Sequence, residues 1–502
     1  MDKGGFRLSL PIFYSALLLT GVNLLLRLVS TGFQVYLSSV LGAAGIGLLQ
    51  LSLSVGNLAL VAGMAGVRTA SMYLTAEELG RKQPRHLSSV LSGCFVYSIA
   101  FSFIAAAALF YFAPQIARYW IGDLRAAGAL RLFAGFLPAA CLCGVMTGYF
   151  TGAGRIGTLA AVEVAEQICT MAVTVLALLL WAGTDLSRAC QSVVLGSGCG
   201  CLFTLSCLAL LRRHHAQSPD APIPVARRLL HAALPLALAD VLRSGIGTVE
   251  NLMVPRRLAL HPATSDPLAA FGILSGMVFP VMMFPACILF GLSELLIPEL
   301  ARCAAAGSRL RTRYLVRRSL KTALLYGLCF GGLLILLAVP LCQQLFQNRQ
   351  AGLQLQQYAL LVPMLYCDAI TDAMTKGLGQ QKICVRYNIL TSALDVMLLF
   401  VLLPRFGMEG YFFSFFVTHF LNFFLSLRRL LKISGVSIPF YLPALALAST
   451  LTAVLGACTV SSSASRIWVF LGLWISLLTL CRVLGREDLH WMLGLLRGKR
   501  RH

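Results

Sequence analysis

Apolar runs of about 20 residues recur along the chain, from LPIFYSALLLTGVNLLLRLV near the N-terminus to the residues around 480. Turn residues or short basic segments separate most of them. A helix of about 20 residues crosses a bilayer core of roughly 30 Å. The pattern therefore predicts an all-α polytopic membrane protein with about 14 transmembrane helices. The spans are expected at 10–37, 45–67, 88–112, 127–150, 157–182, 190–211, 231–254, 268–292, 321–342, 355–376, 384–404, 410–428, 438–460 and 467–483. The first run lacks a small-residue cleavage site after its apolar stretch, so it reads as a retained helix.

Composition agrees. Hydrophobic residues make up 58% of the chain and charged ones 12%, against about 25% charged in soluble domains. Mean hydropathy is +0.80. A net charge of +22 would fit a nucleic-acid partner, but its placement points elsewhere. Most of the 41 Lys and Arg fall in alternate loops, beginning with Lys3 and Arg7 and densest between Arg302 and Lys321. That is the positive-inside bias, and it predicts a multi-pass protein of the cell membrane with both termini cytoplasmic. No nucleic-acid partner is expected. The 16 cysteines form no CxxC pair, and most lie in spans, where free cysteine acts as a small apolar residue.

The chain repeats itself. A shift of 225 carries Gly47 onto Gly272, Gly66 onto Gly291, and Gly152-Ala153-Gly154-Arg155 onto Gly377-Leu378-Gly379-Gln380. Pro11 matches Pro235 at a shift of 224. Six spans per repeat leave the two halves in the same orientation, a known transporter plan. The expected organisation is an N-terminal six-helix bundle (1–211), a cytoplasmic linker (212–230), a pseudo-symmetric C-terminal six-helix bundle (231–430), two appended helices (431–483) and a basic cytoplasmic tail (484–502). The glycine pair of GYFTGAGR follows no strand and precedes no GK[ST], so it is a turn between spans and not a nucleotide loop. No ATPase motif occurs. Energy must come from an ion gradient, with Na+ or H+ the candidate ion, or from the substrate gradient.

Charged residues inside spans cost about 2.5–3.5 kcal/mol each on insertion scales and usually face a cavity or a partner. The candidates are Arg27 in span 1, Glu163 and Glu166 on one face of span 5, and Asp240, Arg243 and Glu250 in span 7. Each has a structural alternative: Arg27 as a counter-charge, Asp240 and Arg243 as a pair along their own helix, the glutamates as braces. Arg68, Glu294, Glu299, Asp368 and Asp372 lie near the inner interface, where they reach water by snorkelling. Asp395 sits in span 11 with either role open. Span 1 has one arginine and no carboxylate. Cavity arginines suit a phosphate or pyrophosphate, which guanidinium grips bidentately.

GAAGIGLLQ (42–50), GYFTG with VAEQ (148–167) and LSELLIPELARCAAAG (292–307) resemble the stage V sporulation protein B family. This is part of the polysaccharide-flippase branch of the multidrug/oligosaccharidyl-lipid/polysaccharide (MOP) exporter superfamily, whose fold is MATE-like. The resemblance covers nearly the whole chain. It implies 14 spans and flipping of polyprenyl-pyrophosphate-linked sugars such as the peptidoglycan precursor lipid II, with sporulation members tied to the spore cortex. Arg27 matches a family arginine fifteen residues before Gly42, and Glu166-Gln167 match a Glu-Gln pair in span 5. Two positions depart from the pattern. Gln34 or Ser39 stands where the family often has a second basic residue, and GVRTASMY replaces a Gly-Leu-Pro…Ser-Lys pattern.

The expected function is a flippase for lipid-linked oligosaccharide, working by alternating access among membrane lipids, without cofactor or enzymatic chemistry. A cation-coupled multidrug antiporter and a non-transporting scaffold for wall synthesis are the competing readings. The C-terminal GREDLHWMLGLLRGKRRH is a basic end that obeys the topology rule or an amphipathic segment on the inner leaflet.

Overall fold

Lipid offers the backbone no hydrogen-bonding partner, so a spanning segment must satisfy its own amides. Every element of the computed structural model is accordingly helical among the described residues, which are 10–80, 86–183, 185–213, 226–437, 439 and 441–484. Most of the expected linker and nearly all of the basic tail lie outside them. In chain order the helices are α1 (Leu10–Met64), α2 (Val67–Gly80), α3 (Leu87–Gln115), α4 (Ala126–Gly152), α5 (Ile156–Ala177), α6 (Leu186–Arg213), α7 (Ala226–Leu258) and α8 (Pro267–Ile273). There follow α9 (Phe279–Met283), α10 (Ala286–Ala305), α11 (Arg309–Phe346), α12 (Arg349–Ala359), α13 (Val362–Gly377), α14 (Gln381–Ser434), α15 (Tyr441–Cys458) and α16 (Ser463–Leu480).

These helices are consistent with the 14 expected spans, with two kinds of difference. Spans 1 and 2 run together as the 55-residue α1, broken at Gly42 where φ is 69°. Spans 11 and 12 form the 54-residue α14, broken at Gly407 where φ is 58°. Spans 8 and 10 are each interrupted instead of continuous. A π-helical turn, Leu274–Val278, separates α8 from α9, Pro285 stands at the break between α9 and α10, and Pro363 follows the break between α12 and α13; proline removes an amide donor and crowds the preceding turn.

The GAG segment is a helix cap. Gly154 has φ 72°, its amide donates to the Thr151 carbonyl at 3.1 Å, and the Arg155 amide donates to Phe150 at 3.0 Å. The same pair of bonds recurs one repeat later. Gly379 (φ 77°) donates to Lys376 at 2.9 Å and Gln380 to Thr375 at 3.1 Å. This is the left-handed glycine cap that satisfies the last carbonyls of a helix, and it appears at both places the repeat predicts.

The chain forms two compact units. The first comprises residues 1–276 and 395–411. Within it α4 packs on α2, α3 and α6, α5 on α6, and α1 on α7 and α8. Ala70, Leu74, Leu91, Cys94, Val145, Leu229 and Ala233 form one apolar cluster; Met146, Phe150, Leu159, Val162 and Leu208 form another among α4, α5 and α6. Near its break α1 meets α8 at glycines, where a Cβ on Gly272 would overlap the carbonyl of Ala43. At the opposite end of α1, α2 is tied to α7 by charge. Arg228 donates to Glu77 Oε2 at 2.8 Å and lies 2.9 Å from Glu78 Oε1, whose side chain is 1% exposed. His86 Nδ1 adds a contact to Glu78 Oε2 at 3.5 Å.

The second unit comprises residues 277–394 and 412–502. There α11 packs on α12, α13, α15 and α16, and α10 on α13. Leu328, Ala446, Ala453, Phe470, Trp474 and Leu478 form its apolar cluster, and Trp474 Nε1 donates to Thr450 Oγ1 at 2.9 Å.

Two outcomes follow. Gly272→Val should push α1 and α8 apart and cost about 1–3 kcal/mol, read as a lowered midpoint in thermal unfolding of the purified protein. Arg228→Ala strands the buried Glu78 carboxylate; a lost hydrogen bond to charge costs about 1.5–3 kcal/mol, and hydrogen exchange should rise in α2 and the start of α7. Unchanged exchange there would show that the ion pair does not hold the junction.

Candidate functional site

A polar cavity of about 370 Å³ lies inside the first unit, bounded by α1, α2, α4, α5 and α6. Its walls are apolar side chains such as Leu53, Phe133, Phe136 and Leu137, but its polar lining is concentrated. Glu163 and Glu166 enter from α5, Arg68 from the start of α2, Asn57 from α1 and Thr204 from α6. The two glutamates are three residues apart and so share a helix face. Thr204 Oγ1 donates to Glu166 Oε2 at 2.7 Å, which spends one acceptor site and fixes that carboxylate toward α6. Cys143 and Cys201 line the same cavity with their thiols in hydrogen-bond reach of one another.

Close packing around the cavity is sequence-encoded. Gly196 and Gly200 of α6 face Thr174 and Thr170 of α5, with Glu166 beside Gly200. Small residues at this spacing let membrane helices approach closely. Charge within the cavity is mixed: one guanidinium faces two carboxylates, so the site can exchange a proton or a cation, or meet the positive part of a larger ligand.

A second acidic site lies between α7 and the segment 395–411 of the same unit. Glu250 and Asp395 are within hydrogen-bond reach, and Asp395 is 6% exposed. Nearby Thr248 and Asn251 tie α7 to α1: Thr248 Oγ1 donates to the Ser54 carbonyl at 3.2 Å and Asn251 Nδ2 to Ser54 Oγ at 2.8 Å.

The remaining sequence candidates fall elsewhere. Arg27, Asp240 and Arg243 are exposed on α1 and α7, and none of them lines the polar cavity. Asp240 and Arg243, spaced to pair along their helix, both have exposed side chains. Arg68, expected at the interface, joins Glu163 and Glu166. Asp368 is half-buried and accepts from Asn422 Nδ2 at 3.1 Å. Glu299 and Asp372 are paired with Arg311 and Lys376 respectively. The side chain of Glu294 lies outside the described residues. Sequence reading missed Asn57 and Thr204, since single polar residues in apolar helices give little signal; Thr204 is legible only once Glu166 is known to face α6. Among the described residues no three His, Cys, Asp or Glu side chains gather to hold a metal ion.

Comparison with known proteins adds to this geometry. The MatE family model matches residues 19–180. Stage V sporulation protein B of Bacillus subtilis (strain 168) is 21% identical over 399 residues, which is 78% of this chain and 77% of that protein. A lipid II flippase, MurJ, in an inward closed conformation superposes with a TM-score of 0.70 at 13% identity, covering 94% of this chain and all of its own. An inward-facing multidrug resistance MATE family transporter superposes at 0.62 with 13% identity, covering 83% of this chain and all of its own. With the helical fold and the repeated caps, these likenesses show this chain, whose residues 19–180 match the MatE family model, to be a multi-pass membrane protein with the fold of the MATE transporter and of the MurJ flippase.

Proposed function

We propose that the chain moves a polyprenyl-pyrophosphate-linked oligosaccharide, of the kind used as a cell-wall precursor, across the cell membrane. One observation carries this reading. Arg27 is the sole charged residue in the 55-residue α1, and its side chain is exposed. A charge is retained at such depth where it serves a pathway or a partner, and a guanidinium suits the doubly ionised head of such a lipid. Arg243, exposed on α7, supplies a second cation. The superposition over 94% of the chain on a protein described as a lipid II flippase, and the sequence likeness to a sporulation protein, support the same substrate class.

In mechanism, the sugar-pyrophosphate head enters from the cytoplasm while the polyprenyl tail stays in lipid. The two six-helix halves, 1–211 and 231–430, then rock to present the head outside. The Arg228 clasp between α2 and α7 lies at the end of α1 that the charge bias assigns to the cytoplasm, so it closes that side and must open for loading. Glu163, Glu166 and the Glu250–Asp395 pair carry the coupling, exchanging H+ or Na+ as the halves move.

A second reading rests on the same carboxylates. Glu163 and Glu166 in a partly apolar cavity also fit an organic cation, and with it a coupled multidrug antiporter.

Thermal stabilisation separates the two, because a ligand that binds only the native state raises apparent stability by RT ln(1 + [L]/Kd). Lipid II and related polyprenyl-pyrophosphate sugars should raise the midpoint of the wild type by more than bare polyprenyl phosphate does. That increment should vanish in Arg27→Ala, which should remain folded. A shift with cationic drugs alone would favour the antiporter. In proteoliposomes, Glu250→Gln should leave the gradient-independent rate near wild type and remove acceleration by an imposed proton or sodium gradient. Full gradient dependence in that variant would exclude the pair from coupling.

A further inference from the structure

Between α9 and α10 the chain leaves regular helix at Phe284 and Pro285. Pro285 has no amide, so the Val281 carbonyl loses its ordinary donor four residues on. The bonds that form across the break run three residues instead of four. The Phe284 amide donates to the Val281 carbonyl at 3.4 Å, Cys287 to Phe284 at 3.2 Å and Ile288 to Pro285 at 3.4 Å. A short 3₁₀ stretch of this kind inside a longer helix often marks a hinge.

Two phenols from neighbouring helices close on the same place. Tyr326 of α11 donates to the Pro285 carbonyl at 2.7 Å, and Tyr366 of α13 donates to the Met282 carbonyl at 2.8 Å. Their ring centroids are 5.9 Å apart, and Tyr366 is buried. The Tyr366 oxygen also lies within hydrogen-bond reach of the Ala286 amide. Met282 and Ala286 are four residues apart, the acceptor and donor of one rung of an ordinary helix. The phenol therefore stands where that rung would be. A side chain inserted into the backbone ladder is a known cause of a sharp bend.

A simple repair of the proline break would look different. The carbonyl that Pro285 deprives is that of Val281, and Val281 accepts from Phe284. Tyr366 instead holds a carbonyl that has a backbone donor of its own in Ala286. That bond can be exchanged as well as broken, which is the property of a two-state element. We infer that span 8 is such a hinge, latched in its bent state by Tyr366 and Tyr326. In the straighter state the Ala286 amide bonds directly to Met282 and the Tyr366 hydroxyl is released beside Tyr326, which can donate to it or accept from it. The latch also reaches span 10. Gly327, next to Tyr326, faces Pro363 so closely that a Cβ there would lie 2.7 Å from the proline Cα. The interruptions of spans 8 and 10 are thus joined through one tyrosine pair, and they release together. A hinge of this kind serves an alternating-access carrier whichever ligand it moves.

The test uses the full-length protein in detergent. Hydrogen exchange is followed by mass spectrometry over peptides covering residues 279–290, with a thermal midpoint for each variant. In Tyr366→Phe the Ala286 amide passes to Met282 and the turn closes, so exchange across 284–290 should slow about fivefold, the equivalent of one hydrogen bond. Pro285→Ala keeps both phenols and gives the Val281 carbonyl its missing amide, and it should slow exchange at the same residues. A phenol that only braces the break predicts the opposite sign, with faster exchange and a lower midpoint once it is removed. Faster or unchanged exchange in Tyr366→Phe would overturn the hinge. Unchanged exchange in Pro285→Ala would do so as well, and that variant decides alone if Tyr366→Phe shows no cooperative unfolding transition.

Discussion

Placing charge in hydrocarbon is costly, and the arrangement of this chain follows from how it meets that cost. Apolar stretches take the bilayer, and the amides within them close on themselves as helices. Basic residues collect at one side, where they reach water. Some of the charges within spans are gathered in company: Glu163 and Glu166 with Arg68 in one cavity, Glu250 with Asp395. Arg68 offsets part of the charge of the two glutamates it faces, whereas Glu250 and Asp395 are like-charged neighbours. In such a protein the energetically unfavourable positions are also the informative ones.

Packing works within the same constraint. Lipid tails are as apolar as leucine, so helix association depends on close contact more than on escape from water. The junctions of α1 with α8 and of α5 with α6 are lined with glycine for this reason. At the membrane surface the logic changes. The clasp of Arg228 on Glu77 and the buried Glu78 ties α2 to α7 by an ion pair instead of by close packing.

Much of the fold was legible because period and length in a membrane protein report directly on helices. The glycine caps at 154 and 379 were legible as well, since the repeat pairs them and glycine is what a left-handed cap requires. Continuity was not: whether Gly42 ends one helix and begins another, or kinks a single one, depends on the neighbours it meets. The interruptions at Pro285 and Pro363 were present in the sequence but masked by unbroken hydropathy. For the site, charge in an apolar run flagged Glu163, Glu166 and Glu250, which are half-buried, together with Arg27, Asp240 and Arg243, which are exposed. It could not say that Arg68 would turn inward to the glutamates, because an arginine at a helix end reads equally well as snorkelling to water.

The glycine cap between α4 and α5 carries a mechanical implication. Its backbone hydrogen bonds fix both the exit of one helix and the entry of the next, leaving no slack to absorb rotation. Gly148 and Gly152 press α4 against the backbone of α2 at Arg68 and Met72. The two glutamates are therefore linked to α2 by an unbroken run of close contacts, through α4 and the hydrogen-bonded turn. The arginine that faces them rides on α2 itself.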